Sequence, residues 1–492
     1  MLLLSLVLHA AAVGAPEPAS VPANGTAPQN EAALERALDT IDADEIRSDL
    51  TFIASDEMAG RDSPSDELRI AARYIRARLM RLGFEAGGPD GSYFYEWQIH
   101  RVGFDPERTG ATLSGPGGLE MELAHAEDYF FPGYSAFGMR SASGPVVFGG
   151  NMSKGTLAKI DVEGRWVLDD GTSKGLSKRR LRELEERGAR GVIVLPRANA
   201  EETVAETLGR RNSRAGRARL QWTPRENEPG FPVLHLSEGA TAGSGLVDAA
   251  ADLDAGDVLE DWTLDERCTQ GDLGEVTLEN VVGVWPGSDP ELGKETIILS
   301  AHYDHVGVNQ KGEINNGADD NGSGTCGMLA IAEALEAYGP MRRTVMLMWV
   351  SAEEKGLLGS EAWAKDPYLP GGLEPICNVN IDMIGRNAPD EFLITPTKKH
   401  PAYSALTKVA EANARTEGFT KVKSADAYWE RSDQYNFKEH MGLPVAFLFC
   451  DVHEDYHRPS DTPEKIDYDK MRRICRLVVR MLDALQIDRP KF

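Results

Sequence analysis

From about residue 275 onward, short uninterrupted apolar runs alternate with stretches of helical period. The runs are Thr296-Ile297-Ile298-Leu299, Val345 to Val350, Ile376 to Ile381 and Val445 to Phe449. Cys326 to Tyr338, Ser404 to Arg415 and Lys470 to Leu485 carry the helical pattern between and after them. A strand that is apolar at every position must be buried on both faces. Alternation of such strands with helices predicts an α/β domain whose mixed, mostly parallel sheet is sandwiched by helices. In open sheets of this kind, ligands bind beyond the carboxyl ends of the strands.

Those ends and the adjoining loops carry one kind of chemistry. They read Ala301-His302-Tyr303-Asp304-His305, Gly317-Ala318-Asp319-Asp320-Asn321, Ser351-Ala352-Glu353-Glu354, Asn380-Ile381-Asp382 and Asp455-Tyr456-His457. His, Asp, Glu, Asp and His from five distant segments suit a single metal site. Asp304, two residues after His302, suits the carboxylate that orients a metal-bound imidazole, or one that orients a neighbouring group. Residues 317–324 hold three glycines, which let a backbone turn sharply and approach another group closely. A helix cap needs only one Asp or Asn, and here there are three; Asp319 is expected to bridge two cations. Glu353 and Glu354 point in different directions, so one can ligate while the other, as general base, faces a water. Asp461 is a candidate partner supporting the ligands, and His453 competes with His457 as a ligand. Two His and three carboxylates suit two divalent ions, with zinc favoured by the imidazoles and cobalt or manganese compatible with the same donors.

Four segments are expected along the chain: a leader over 1–30, the first part of the main domain over 31–125, an insertion over 126–260, and the site-bearing part over 261–492. The insertion has its own strands around 145–148, 165–168, 191–195 and 231–236, with a charged helix over 177–187, and no usefully spaced ligand pair. Met1-Leu2-Leu3-Leu4 to Ala15 is similar to the apolar core and cleavage site of a secretory signal, so an exported protein, periplasmic or secreted, is expected. No later apolar run approaches the length of about 20 residues that a membrane helix needs. With 53 Lys and Arg against 78 Asp and Glu, the formal charge is −25. That charge opposes binding to nucleic acid or anionic lipid, and the basic run 210–219 reads as a solvated loop. Five cysteines without CxxC spacing indicate neither a zinc knuckle nor a disulfide framework.

The motifs AHYDHVG (301–307), GADDNGSG (317–324), SAEEKGLLGS (351–360), NIDMIGR (380–386) and EDYHRPSDT (454–462) resemble those of the co-catalytic zinc exopeptidases. That family includes secreted bacterial aminopeptidases and the glutamate carboxypeptidases. The resemblance covers most of residues 40–492 and implies the phosphorylase/hydrolase-like fold of zinc exopeptidases. It implies two Zn2+ per chain, with His302 and Asp382 on one, Glu354 and His457 on the other, and Asp319 bridging. It makes Glu353 the general base and selects His457 over His453. FIASDEMAGRDSPSDE (52–67) is similar to the lead-in of bacterial members. EGRWVLDD (163–170) and ERGARGVIVLP (186–196) resemble the β-rich protease-associated domain inserted in such enzymes. Ser432-Asp433-Gln434 departs from the Ser-Asp-His of many relatives. The implied function is removal of N-terminal residues from peptides through a zinc-bound hydroxide. A carboxypeptidase of the glutamate carboxypeptidase type is the alternative, and it would need a cationic clamp such as Arg386, Arg431 or Arg458. A receptor-like protein is the alternative from another class; relatives of that kind have lost metal ligands, which this chain retains.

Overall fold

The computed structural model describes residues 30–105, 107–131, 139–172, 176–196, 204, 219–223, 230–309 and 311–487. The signal-like segment, the leader to residue 29 and residues 210–218 of the basic run lie outside these. The chain forms two compact units, one of residues 98–277 with 309–313, the other comprising the remainder.

The second of these carries the apolar runs. Its sheet has a centre of four parallel strands in the spatial order Thr344–Val350, Glu295–His302, Glu374–Asp382 and Val445–Phe449. Antiparallel neighbours flank the centre, residues 281–285 on one side and Glu391–Thr395 on the other. Every residue of Thr344–Val350 is buried, as a strand covered on both faces requires. The helix Gly324–Tyr338 packs against Glu295–His302 and Thr344–Val350, and it collects Glu31–Asp39, Ala43–Ile53, Asp66–Leu82 and Tyr468–Ala484 around itself. Leu358–Lys365 and Gln434–Met441 pack on each other, the latter also against Glu374–Asp382 and Val445–Phe449. The helix Asp66–Leu82 starts at Ser65, whose hydroxyl accepts from the Leu68 amide, and ends at Gly83, whose φ of +80° suits a residue without Cβ. Among the described residues no helix is long and apolar enough to cross a membrane.

The other unit is built on its own sheet. Its centre runs Met139–Gly150, Trp166–Asp169, Gly191–Val194 and Val233–Leu236, all mutually parallel. Side chains alternate between two faces with the period of two that strands impose. Val146, Trp166, Leu168, Ile193 and Leu234 pack on one side. Val147, Val167, Val192 and Val233 meet Leu181 and Leu184 of the helix Lys178–Glu186 on the other. This unit begins earlier and ends later than the change in sequence texture at 126 and 260. Strands Gly110–Gly115 and Leu119–Ala124 pair with each other, and the former pairs with residues 263–267. Backbone hydrogen bonds, rather than local composition, therefore draw its boundary. All five cysteines are buried and free.

One buried cation braces the first of these two sheets at its carboxyl edge. The Arg61 side chain is fully buried and donates to four backbone carbonyls. They are those of Tyr303 at 2.9 Å, Ile53 at 2.5 Å, Asn316 at 2.9 Å and Gly317 at 3.0 Å. Removing the guanidinium strands the buried carbonyls of Ile53, Tyr303 and Asn316, each costing about 1–3 kcal/mol, whereas Gly317 keeps the bond from the Gly322 amide. Arg61→Met is therefore expected to lower unfolding free energy by at least about 3 kcal/mol in a denaturant titration.

Candidate metal centre

His302 is the last residue of Glu295–His302, and Asp382 the last of Glu374–Asp382. Glu353 and Glu354 follow Thr344–Val350. Asp320 lies in the irregular turn preceding Gly324–Tyr338, and His457 in the loop after Val445–Phe449. Parallel alignment brings the strand ends to one edge, where these side chains converge.

Asp320 stands at the middle. Its Oδ1 lies 3.4 Å from His302 Nε2, and its Oδ2 lies 3.0 Å from His457 Nε2. His302 Nε2 is also 3.3 Å from Asp382 Oδ1, and His457 Nε2 is 3.1 Å from Glu354 Oε1. Donors arranged tetrahedrally at about 2 Å from one ion are separated by about 3.3 Å. The two groups, His302–Asp382–Asp320 and His457–Glu354–Asp320, match that spacing. Asp320 Oδ2 and Glu354 Oε1 are buried without a hydrogen-bond partner, so a cation fits both. Glu353 Oε2 lies 4.0 Å from His302 Nε2.

The structure corrects one residue of the expected set. Asp319 does not reach the centre; its Oδ1 accepts from the Gly385 amide at 2.7 Å and its Oδ2 lies 3.2 Å from His453 Nε2. Asp320 has extended backbone angles (φ −101°, ψ 100°), so adjacent side chains point to opposite sides. The central carboxylate is thus Asp320, and His453 goes with Asp319 away from His457. Asn321 braces the turn, its Oδ1 accepting from the Gly324 amide at 2.8 Å. Gly317 (φ +62°) meets both needs expected of a glycine, since a Cβ there would stand 2.4 Å from the Asp320 carbonyl oxygen and 2.5 Å from the His305 ring.

The supporting residues have definite tasks. His302 Nδ1 lies 3.1 Å from the Asp304 carbonyl oxygen and 3.6 Å from its Oδ1. The Asp304 carboxylate accepts from the Glu353 amide at 3.1 Å and from the Ser63 hydroxyl at 3.0 Å. It therefore orients both candidates that the sequence left open. Asp461 accepts from the amides of Asp319 (3.0 and 3.1 Å) and Asp320 (3.2 Å), fixing the turn. Ser432 donates to Asp382 Oδ2 at 2.8 Å. Gln434 takes no part at the centre; it accepts from Asn380 and donates to the Trp429 carbonyl. Sequence reasoning missed His305, whose Nδ1 lies 3.1 Å from Glu354 Oε1 and 3.6 Å from Asp320 Oδ2. It is fully buried, and its signal was the second His in AHYDH. Arg61 was missed too, although it sits inside the quoted lead-in.

Burial and mutual charge divide the carboxylates. Burial pushes Glu353 well above the usual range, and Glu354, Asp433 and Asp382 add to this against the pull of His302. Burial also opposes ionisation of Asp320, yet the imidazoles of His302 and His457 beside it hold it well below the usual range. Burial disfavours a charged His457, but Asp320 and Glu354 outweigh it and raise its pKa to about 10. Of the two adjacent glutamates, Glu353 is thus the one inclined to hold a proton, while Glu354 is held ionised by its imidazoles.

A pocket opens beside the centre. Asp320, Glu353 and Asp382 line it together with Met383, Phe447, Phe449, Val452, Tyr428, Tyr456 and Arg431. Met383, Phe447 and Phe449 belong to one buried apolar cluster, against which Tyr428, Val452 and Tyr456 pack.

Residues 280–482 match the model of peptidase family M28. A probable leucine aminopeptidase of Arthroderma otae is 28% identical over 46% of this chain and 66% of its own length. Another, of Trichophyton verrucosum, is 31% identical over 39% of the chain and 54% of its own length. The aminopeptidase YwaD of Bacillus subtilis is 27% identical over 41% of the chain and 43% of its own length. The match to these curated relatives thus spans from under half to about two-thirds of their length. Among solved structures, an aminopeptidase of Aneurinibacillus sp. strain AM-1 superposes with a TM-score of 0.51 at 19% identity, covering 93% of this chain and all of that one. A zinc aminopeptidase of Bacillus subtilis gives 0.51 at 19%, covering 90% and 94%. These two share the fold described above.

The exchange of Asp319 for Asp320 can be measured. Asp320→Asn is expected to lower bound zinc, determined by elemental analysis after dialysis, by at least one ion per chain. Asp319→Asn is expected to retain the parent's metal content, and loss of zinc in that variant alone would return the bridge to Asp319.

Proposed function

We propose that the chain is a di-zinc exopeptidase of the aminopeptidase type, releasing N-terminal residues from peptides. The observation that carries this reading is Asp320, whose two oxygens face His302 and His457 separately, with the half-buried Glu353 4.0 Å from His302. On this reading His302, Asp382 and Asp320 hold one ion, and His457, Glu354 and Asp320 hold the other. His305, with Nδ1 beside Glu354 and Asp320, is a further imidazole within reach of that second ion. Bound there, the ions would supply Lewis acidity, polarising the scissile carbonyl and making a water acidic enough to attack at neutral pH. Imidazole with carboxylate favours zinc, and cobalt or manganese suits the same donors.

The chain's own residues do the rest. Glu353, with its amide held by Asp304, accepts the proton of the attacking water at a carboxylate oxygen. It then delivers that proton to the nitrogen of the departing amine. Its raised pKa suits both halves, because a base that is too weak an acid, or too strong, fails in one of them. The carboxylates at the pocket floor receive the free α-ammonium group of the substrate. Met383, Phe447, Phe449 and Val452 offer an apolar wall for the first side chain, in keeping with relatives named leucine aminopeptidases.

We also infer that residues 98–277 correspond to a protease-associated domain and that the protein is exported, the latter resting on the apolar segment at 1–15. Trypsin-accessibility and fractionation of the natural host test the second inference.

Glu353→Gln is expected to reduce kcat on leucyl anilide about 10²- to 10⁴-fold while retaining the parent's metal content. Chelator treatment is expected to abolish activity, and added zinc to restore it. Cleavage of an N-acylated peptide from its C-terminal end would overturn the aminopeptidase assignment in favour of a carboxypeptidase.

A further inference from the structure

The pocket beside the centre has one cation in its lining, and that cation is uncommitted. Three carboxylates, Asp320, Glu353 and Asp382, and a largely apolar wall make up the rest, apart from the two tyrosines. Arg431 is exposed. Its Nη2 donates to the Tyr456 hydroxyl at 3.3 Å, and its guanidinium carbon lies 5.6 Å from the centre of the Tyr428 ring. Among the described residues no carboxylate lies within ion-pair distance of it. Of the other motif-loop arginines, Arg386 donates to Asp455 at 2.8 Å and Arg458 is not part of the pocket lining. In a chain of net charge −25, what sets Arg431 apart is its place: it is the cation in the lining of a pocket otherwise acidic and apolar.

Tyrosines hold such a group without neutralising it. The Tyr428 ring attracts a cation through its face, and its own hydroxyl donates to Asp451 at 2.8 Å, which keeps the ring in place. Tyr456 stacks on His457 with ring centres 3.8 Å apart, tying the arginine's second support to the metal centre. The planar fork of a guanidinium matches a carboxylate with two parallel hydrogen bonds. Acidic groups at one end of the pocket receive a substrate ammonium; an arginine elsewhere in its lining receives an anion.

We propose that Arg431 forms a carboxylate subsite, which binds a substrate carboxylate while the α-amine occupies the acidic floor. The inference rests on the aminopeptidase reading and adds substrate class to it: peptides short enough for their C-terminal carboxylate to reach Arg431, or peptides with an acidic side chain near the scissile bond. Both sources share one chemistry, and the substrates below separate them. Arg431 touches substrate, not the reacting atoms, so its loss acts on KM more than on kcat.

The test is steady-state kinetics of the zinc-loaded full chain and its Arg431→Gln variant. Arg431 is exposed, so the exchange spares the core, and circular dichroism checks the fold. The substrates are leucyl anilide, leucyl-glycine, leucyl-glycine amide, and leucyl-aspartate amide beside leucyl-asparagine amide. The parent is expected to show a lower KM for leucyl-glycine than for its amide, or for the aspartate peptide than for the asparagine one; whichever pair separates identifies the source of the carboxylate. Arg431→Gln is expected to raise KM for that carboxylate substrate about 10- to 100-fold, the usual worth of a charge-assisted pair. KM for the anilide and both neutral amides is expected to stay within about twofold, and Arg431→Lys to recover part of the loss. Equal KM values within both pairs for the parent would overturn the subsite, as would an equal effect of the variant on the anilide. If the zinc-loaded parent leaves the anilide intact, the aminopeptidase reading falls and the subsite with it. Anilide cleavage without discrimination sinks the subsite alone.

Discussion

The guanidinium of Arg61 is the contact on which the centre's geometry depends. It draws the carbonyls of Tyr303, Asn316 and Gly317 to one point, so the loop after His302 and the turn before Asp320 share one anchor. Both loops would otherwise expose unpaired carbonyls in a dry interior, at a cost comparable to a large share of a domain's net stability. Burial alone lowers the pKa of Arg61, while the surrounding charges of Cys326, Asp304, Asp320 and Asp461 oppose that. Its positive charge also lies under a cluster dominated by carboxylates. A single residue at least 242 positions away in sequence thereby aligns the sheet edge and offsets part of its charge.

Above that anchor, charge rather than shape separates the roles of neighbouring residues. Glu353 and Glu354 are adjacent and chemically identical. Glu354 faces the imidazoles of His305 and His457 at 3.1 Å, which favour its ionised form. Glu353 has one imidazole at 4.0 Å and three carboxylates acting against it. The same backbone that turns sharply at Ala352, in the left-handed region at φ +55°, sends the two side chains apart. Met383, after Asp382, and His457 itself adopt φ of +51° and +56°. Left-handed backbone at non-glycine residues costs of order 1–3 kcal/mol each, and here it recurs beside three of the converging side chains. The packed sheet supplies that cost elsewhere.

Much of this was legible along the chain because it is carried by short-range pattern. Residues apolar at every position from Val345 to Val350 can only be a doubly covered strand, and the alternation with helices leaves little freedom in sheet type. His302, Glu353, Glu354, Asp382 and His457 stand at the ends of such runs, so their convergence follows once the strands are parallel. The extent of the unit of residues 98–277 was less legible: strands Gly110–Gly115 and Leu119–Ala124 look like part of the site-bearing domain until the pairing of the former with residues 263–267 is seen. Pairing partners about 150 residues apart leave no local trace.

The amino-acid sequence by itself determined the class of sheet, the end of it that bears the site, and the chemical kind of that site, because each follows from which residue types sit at strand ends. It put the central carboxylate one residue early, at Asp319 in place of Asp320, and its residues alone left His453 and His457 in competition until the resemblance selected His457. Those choices depend on the local backbone direction, and that is set by Asp461 gripping two amides, Gly317 clearing the His305 ring, and Arg61 holding the turn from below. Only the tertiary structure assembles those contacts, and a rotation between adjacent residues is enough to move a carboxylate from the centre to its periphery.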